Sequence, residues 1–170
     1  PILTVAVLEF VALPDLGAVG ELLTNSAWLE IERSVRPRLS VEFRRQVYAL
    51  RHAIRQRSAL PTAPALQLLR MEVTPQLGQS YGALREQTLY PHVEKSTVVE
   101  SFAALEASIS TEPGALYLSG FSCEKSRFIE EFTTERAREF MTEAGSRFVI
   151  GGAPAIHTSV WSKRVVPETT

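Results

Sequence analysis

The order of the secondary-structure elements predicted after Pro64 constrains the fold more than any other feature of this sequence. A strand over 65–74, a helix that begins at Thr97 and strands over 115–123 and 127–132 come first. A helix over 135–148 and a strand over 155–161 complete the series. This β-α-β-β-α-β order places a sheet against two helices. The sequence therefore predicts an α+β fold containing one ferredoxin-like unit.

Local patterns define the two predicted helices. Thr97-Val98-Val99-Glu100 matches a capping box, and apolar residues follow at helical spacing as far as Ile109. The later helix is expected to stop at Gly151-Gly152, in the manner of a glycine C-cap. The segment 75–95 contains two glycines and a proline, so it is interpreted as a long connection, with room for a short helix. Long connections often carry function.

A first, degenerate α+β half is predicted for residues 1–60. Ile2–Val11 reads as a buried strand, and Ser40–Arg57 is predicted to be a helix because its apolar residues repeat at intervals of four, three and four. Between them, a helix that opens at Pro14-Asp15 either ends near Asn25 or continues through Ile31. Prolines at 61 and 64 indicate a linker, so we expect halves 1–60 and 65–165 packed as one domain. The opening strand resembles the strand at 65–74, which favours a degenerate tandem duplication.

Composition and charge exclude several classes of protein. With 45% hydrophobic and 22% charged residues the chain is typical of globular proteins, and a net charge of -1 gives no electrostatic case for nucleic-acid binding. Neither a signal peptide nor a membrane-spanning segment is expected. The single cysteine, Cys123, excludes an intramolecular disulfide and fits a reducing compartment, so a cytoplasmic location is predicted. The arginine-rich segment 33–57 is either a solvated face or a dock for an anionic partner.

The residues from 112 to 161 follow a longer progression. It consists of a Pro-Gly turn with a strand, an acidic turn, a second strand, a helix with inward aromatic residues and a short strand. The segments that carry it are Glu112–Tyr117, Cys123-Glu124, Phe128–Thr134, Glu135–Glu143 and Pro154–Trp161. The stretch 113–161 thereby resembles the antibiotic-biosynthesis-monooxygenase group of dimeric α+β barrel proteins. It differs from them where Phe132 replaces a frequent tryptophan, and where Arg138-Glu139-Phe140 replaces a helix that often carries a histidine.

The resemblance implies both an assembly and an activity. Two ferredoxin-like units would pair through their sheets, from two chains of a homodimer or from two halves of one chain. An apolar pocket would bind a small hydrophobic aromatic substrate of polyketide type. Members of the group act without metal or flavin as oxygenases, cyclases or decarboxylases, and some degrade haem. The resemblance therefore implies a cofactor-independent enzyme of secondary metabolism.

Strand alternation suggests candidate site residues. It places His157 on one face of the last strand and Tyr117 on one face of an inner strand. If both faces line the pocket, His157 would act as a base and Tyr117 would orient a substrate oxygen. His92, in the long connection, would stand at the pocket mouth. The predicted substrate contacts are Tyr81, Tyr90, Phe121, Phe132 and Trp161. The histidines and carboxylates lack the spacing of a metal site, and no phosphate-binding motif is present.

Two other classes of function stay open. The chain begins Pro1-Ile2 and continues into a strand, a pattern similar to the tautomerase superfamily, so Pro1 would serve as a base in an isomerase. Alternatively, the protein binds a ligand or forms oligomers without catalysis. Fold alone does not decide among these functions.

Overall fold

A computed structural model describes residues 24–38, 47–55, 63–109 and 114–162 of the 170-residue chain. The chain divides into two compact units, residues 1–45 and 46–170. The predicted strand Ile2–Val11, the residue Pro1 and the opening of the first helix lie outside the described residues. In the first unit, helix α1 covers Ser26–Val35, so helical structure extends past Asn25.

A 3-10 turn, Arg36–Arg38, follows α1. It contains Pro37, which has no backbone N–H to continue an α-helix. Arg36 forms an i,i+4 ion pair with Glu32 at 3.2 Å, which links the turn to the last part of the helix.

The second unit is built on a five-stranded antiparallel sheet. Its strands are β1 Val47–Ile54, β2 Ala65–Met71, β3 Val99–Ile109, β4 Ala115–Phe121 and β5 His157–Ser162. They lie in the order β1-β3-β4-β2-β5. The last four of these form the β3-β4-β2-β5 arrangement of a ferredoxin-like unit, and β1 extends the sheet beside β3. The predicted α+β class and the predicted order of elements are confirmed.

Two helical segments connect the strands of that unit. Between β2 and β3 the chain forms α2 (Gly78–Leu84), a π-helical turn (Arg85–Leu89) and α3 (Tyr90–Lys95). Between β4 and β5 it forms α4 (Lys125–Phe132) and α5 (Glu135–Arg147), and the Thr134 hydroxyl accepts the Ala137 N–H at the start of α5. Gly151 and Gly152 follow with φ of 83° and 73°, a backbone conformation that favours glycine.

The order was predicted correctly, but several elements that fill it were not. The predicted helix Ser40–Arg57 is wrong over its described part, because residues 47–54 form β1. The predicted helix after Thr97 is wrong because this segment is β3, and the predicted strand over 127–132 is wrong because it belongs to α4. The helical segment lies instead in 78–95, which was interpreted as a connection. The order of helices and strands is still correct, because the first helical segment lies before β3 rather than within it, and β3 takes the place of the strand predicted over 127–132.

The capping box at Thr97 fails for a local reason. The Ser96 hydroxyl, one residue earlier, accepts the N–H groups of Val98 and Val99. This turn ends α3 and releases the chain into β3 rather than into a helix. Arg55, which has φ of 61°, donates to the carbonyl oxygens of Glu94, Ser96 and Val99 and ties the end of β1 to the same turn.

The two faces of the sheet carry separate apolar clusters. On the helix-covered face, helix residues such as Phe128 and Phe140 pack against Phe102, Tyr117 and Phe121 of the sheet. On the opposite face, Leu68, Ala103, Leu105 and Leu118 form a smaller cluster with Trp161 beside it. Strand register fixes this division, because residues paired across antiparallel strands share a face.

Candidate functional site

A cavity of about 460 Å³ lies between the helix-covered face of the sheet and the helices. Its inner wall is apolar and buried, and includes Met71, Phe102, Phe128 and Phe140. Five of its lining residues are exposed to solvent, and we call them the rim. The rim consists of Lys125, Ile129, Thr133, Arg136 and Thr158. The volume is within the range of small-molecule sites.

A buried hydrogen-bonded cluster stands at the inner wall. The hydroxyls of Tyr117 and Tyr81 lie 2.8 Å apart, and either can donate to the other. The Tyr81 hydroxyl also donates to the Met71 sulfur at 3.0 Å. Arg85 donates from Nη1 to the Tyr117 oxygen over a long 3.5 Å and stacks its guanidinium 5.1 Å from the Tyr81 ring centroid. Tyr117 and Met71 are the members of this cluster that line the cavity.

Both phenols of the cluster remain protonated at neutral pH. Burial raises the pKa of Tyr117 to about 12, although the positive charge of Arg85 acts in the opposite direction. Burial also raises the pKa of Tyr81, and its neighbour Tyr117 raises that pKa further. Tyr117 is therefore a neutral hydrogen-bond donor beside an apolar cavity, with a cation held behind it.

The helical segment 78–95 positions this chemistry. Tyr81, Arg85, Leu89 and His92 follow one another at intervals of four, four and three, so they share one side of the segment. The π-helical turn starts at Arg85, and such turns are frequent at functional sites. Pro91 lies in the first turn of α3, where proline is tolerated.

His92 lines the same cavity and packs edge-on against Phe132, with ring centroids 5.6 Å apart. Burial lowers the pKa of His92, while Glu131 raises it and Arg136 lowers it. Its Nε2 has no hydrogen-bond partner among the described residues. The imidazole is therefore neutral at pH 7 and can accept a proton.

Stacked aromatic rings continue the wall from His92 inward. Phe132 stacks on Phe128 at 4.7 Å, and Phe128 stacks on Phe121 at 4.0 Å. Phe128 is only 1% exposed, so this column is part of the core as well as of the cavity wall. A flat aromatic molecule matches such walls in shape and polarity.

The structure brings together some of the residues predicted from the sequence. Tyr117, His92 and Phe132 line the cavity. Tyr81, Tyr90 and Phe121 are buried next to lining residues but do not line it themselves.

The structure separates the two candidate histidines, His157 and His92. His157 is exposed at the start of β5 and pairs with Arg70, on the face of the sheet opposite Tyr117. Trp161 shares that opposite face, where its indole N–H donates to Ser159. The predicted meeting of His157 with Tyr117 therefore does not occur, and of these two histidines it is His92 that lines the cavity.

Sequence reasoning missed three charged residues near the cavity. Arg85 was inside the presumed connection, although Tyr81, Arg85 and Leu89 already show helical spacing. Lys125 reaches the rim from a segment, 125–132, that is a helix rather than a strand, and Arg136 reaches it from the second position of α5.

His52 and the arginines of the segment 33–57 make other contacts. His52 lies half-buried on β1, in the segment predicted to be a helix, and stacks on Tyr90 at 4.0 Å. Within the arginine-rich segment, Arg51 pairs with Glu106 at 2.6 Å and Arg55 donates to backbone carbonyls.

The described residues contain no group of three potential metal ligands. They also contain no helix long and apolar enough to cross a membrane.

Comparison with known proteins supports the fold. A protein from Fusobacterium nucleatum, provisionally named a monooxygenase, matches with a TM-score of 0.54 at 8% identity over 86% of this chain. A second, from Lactobacillus acidophilus and named in the same way, matches with a TM-score of 0.50 at 10% identity over 85% of this chain. The likeness is one of fold. The chain spans 63% and 62% of the length of these two structures. No protein-family model and no curated protein matches the sequence.

Proposed function

We propose that this protein is an oxygenase that converts a small aromatic substrate in the cavity, beginning with proton abstraction and requiring no cofactor. The observation that carries the proposal is the pairing of a neutral base, His92, with a neutral phenol donor, Tyr117, on the wall of one apolar cavity. The likeness to two structures named monooxygenases favours oxygenation over other uses of the same groups.

Each residue has a defined task in this proposal. His92 removes a proton from the substrate carbon next to a carbonyl or phenol, and Tyr117 donates a hydrogen bond to the oxygen that gains negative charge. Arg85 donates to the Tyr117 oxygen, and Tyr81 can do so as well, which strengthens Tyr117 as a donor. The aromatic wall orients the ring and excludes water.

The hydrogen bonds of the cluster can rearrange so that Tyr117 donates to the substrate oxygen. Tyr81 has one proton, which it gives either to the Met71 sulfur or to the Tyr117 oxygen. When a substrate oxygen accepts from Tyr117, the Tyr81 proton turns from Met71 to Tyr117. Substrate binding therefore replaces a weak bond to sulfur with a chain of donors directed at the developing charge.

Oxygen enters after the proton has left. The substrate carbanion forms a carbon–oxygen bond with O₂, the resulting peroxide anion takes up the proton that His92 removed, and the hydroperoxide so formed loses water. A CH₂ group and O₂ thus become a carbonyl and H₂O, so that the substrate supplies all the electrons.

Oxygen uptake tests this function directly. The purified chain is incubated with anthrones, hydroquinones and naphthols in the presence of a chelator and without added flavin, and products are followed by mass spectrometry. We expect enzyme-dependent uptake that matches product formation and is lost in His92→Ala. Product without oxygen uptake would replace the oxygenase with a cyclase or isomerase that uses the same base. Absence of both across the panel would contradict an oxidative role for these aromatic substrates.

A further inference from the structure

The rim of the cavity differs in charge from its walls. Lys125 and Arg136 are exposed and line the cavity, and neither has an ion-pair partner among the described residues. No acidic side chain is among the described residues that line the cavity. A substrate therefore meets an apolar interior, and the two charged side chains among the described lining residues at the rim are both positive.

The positions of these two cations are unfavourable for the helices themselves. Lys125 is the first residue of α4 and Arg136 is the second of α5. Helix N-termini carry partial positive charge, so cations there reduce helix stability whereas anions increase it. Local helix energetics gives no reason for Lys125 and Arg136 to stand here, but recognition of an anion does.

We infer that the cavity takes an aromatic substrate bearing a carboxylate, with the ring in the apolar interior and the carboxylate at the rim against Lys125 and Arg136. This inference rests on the proposed function in that it names the substrate class of the same cavity. A carboxylate attached directly to the ring suits this arrangement because Ile129, one helical turn after Lys125 on α4, lines the same cavity as the two cations. Arginine and lysine both recognise carboxylates.

Binding calorimetry with a matched pair of ligands tests the inference without turnover. One ligand is 1-naphthol, neutral at pH 7, and the other is 1-hydroxy-2-naphthoate, which adds an anionic carboxylate to the same rings. We expect the naphthoate to bind more tightly, with an affinity that falls as salt is raised, while the naphthol affinity stays constant. Lys125→Gln and Arg136→Gln should each weaken naphthoate binding about two- to fivefold, and together about tenfold, as expected for exposed charge pairs.

Arg138→Gln is the matched control. Arg138 is an exposed arginine of the same helix α5 that does not line the cavity, so its loss should leave both affinities unchanged. If Arg138→Gln weakens naphthoate binding as much as Arg136→Gln, general surface charge explains the effect and the rim does not. Inorganic phosphate should fail to compete with the naphthoate. Effective competition would overturn the carboxylate assignment in favour of a phosphate-bearing substrate.

The remaining outcomes separate this inference from the proposed function. Equal affinity for the two ligands in the unaltered protein would overturn the anionic substrate class and leave the oxygenase proposal standing. Failure of both ligands to bind would overturn both proposals, because the cavity would then not be an aromatic site. Tight naphthoate binding without oxygen uptake would support the inference and count against oxygenation.

Discussion

Both faces of the sheet carry aromatic and hydroxyl side chains, but the two faces arrange them differently. On the helix-covered face, Tyr117 and His92 line one cavity, and a buried arginine supports the phenol. On the opposite face, His157 is exposed and Trp161 donates to Ser159 two residues away. A functional site thus requires an enclosing layer as well as suitable residue types, because enclosure sets the pKa values and excludes water.

The two histidines give the largest expected contrast between these faces. His92→Ala should lower kcat by about 10² to 10⁴, the contribution of a positioned general base. His157→Ala should leave kcat within twofold, because the His157 side chain is exposed on the other face. Steady-state oxygen consumption on the best substrate of the panel measures both. If His157→Ala is the damaging change, the assignment of the site to the helix-covered face is wrong.

On the helix-covered face, the loss of kcat caused by a substitution should decrease from the cavity wall toward the residues behind it. Tyr117→Phe removes the donor to the developing negative charge and should lower kcat about 10²- to 10³-fold with little change in KM. Tyr81→Phe removes only the donor behind it and should cost roughly tenfold or less, since Arg85 still donates to Tyr117. Equal losses in both variants would show that the tyrosines act as one unit rather than as donor and support.

Stability measurements distinguish packing from the site on each face. Phe128→Ala empties the centre of the aromatic column and should lower the free energy of unfolding by about 3–5 kcal/mol, and naphthol binding should also be lost. Leu118→Ala removes a side chain that is 1% exposed on the opposite face and should cost about 2–5 kcal/mol while naphthol binding persists. Urea denaturation and calorimetry measure the two properties. Loss of binding in both variants would mean that the cavity responds to global stability alone.

The sequence predicts the topology of the second unit better than it predicts the individual elements. Strands β4 and β5 are recognisable because they combine β-branched or aromatic residues with nearby turn residues, and β2 because it is a short apolar run between Pro64 and Pro75. By contrast, β1 and β3 contain apolar residues at helical spacing, such as Val47, Leu50 and Ile54. Pairing between β1 and β3 overrides that local pattern, and such pairing is invisible in a single sequence.

The candidate site was only partly predictable for the same reason. The sequence identifies Tyr117 and His92 as candidate site residues, but the cavity that they share forms only because 78–95 is helical. Gly78, Gly82 and Pro91 argue against a helix from local propensity, and a π-helical turn within it breaks the regular period. Strand alternation predicted that Tyr117 and Phe121 share a face, whereas the face of His157 depends on the register between β5 and β2. Pairing of sheets between two copies stays a prediction.

The pH dependence of kcat/KM and of stability is expected to show the smallest effect, but it tests the role of His92 most directly. Because burial lowers the pKa of His92, the base stays neutral to a lower pH than an exposed histidine, whose pKa is about 6.5. We therefore expect kcat/KM to fall only as pH drops below that value. The free energy of unfolding should also decrease as pH falls from about 6.5 through the lowered pKa, since the unfolded chain then binds the proton more readily. Glu131→Gln removes the neighbour that raises this pKa, so both inflections should move further toward acid. Arg136→Gln removes the neighbour that lowers it and should move them the other way. If both inflections stay fixed in the two variants, another group controls the pH profile, and His92 is not the base.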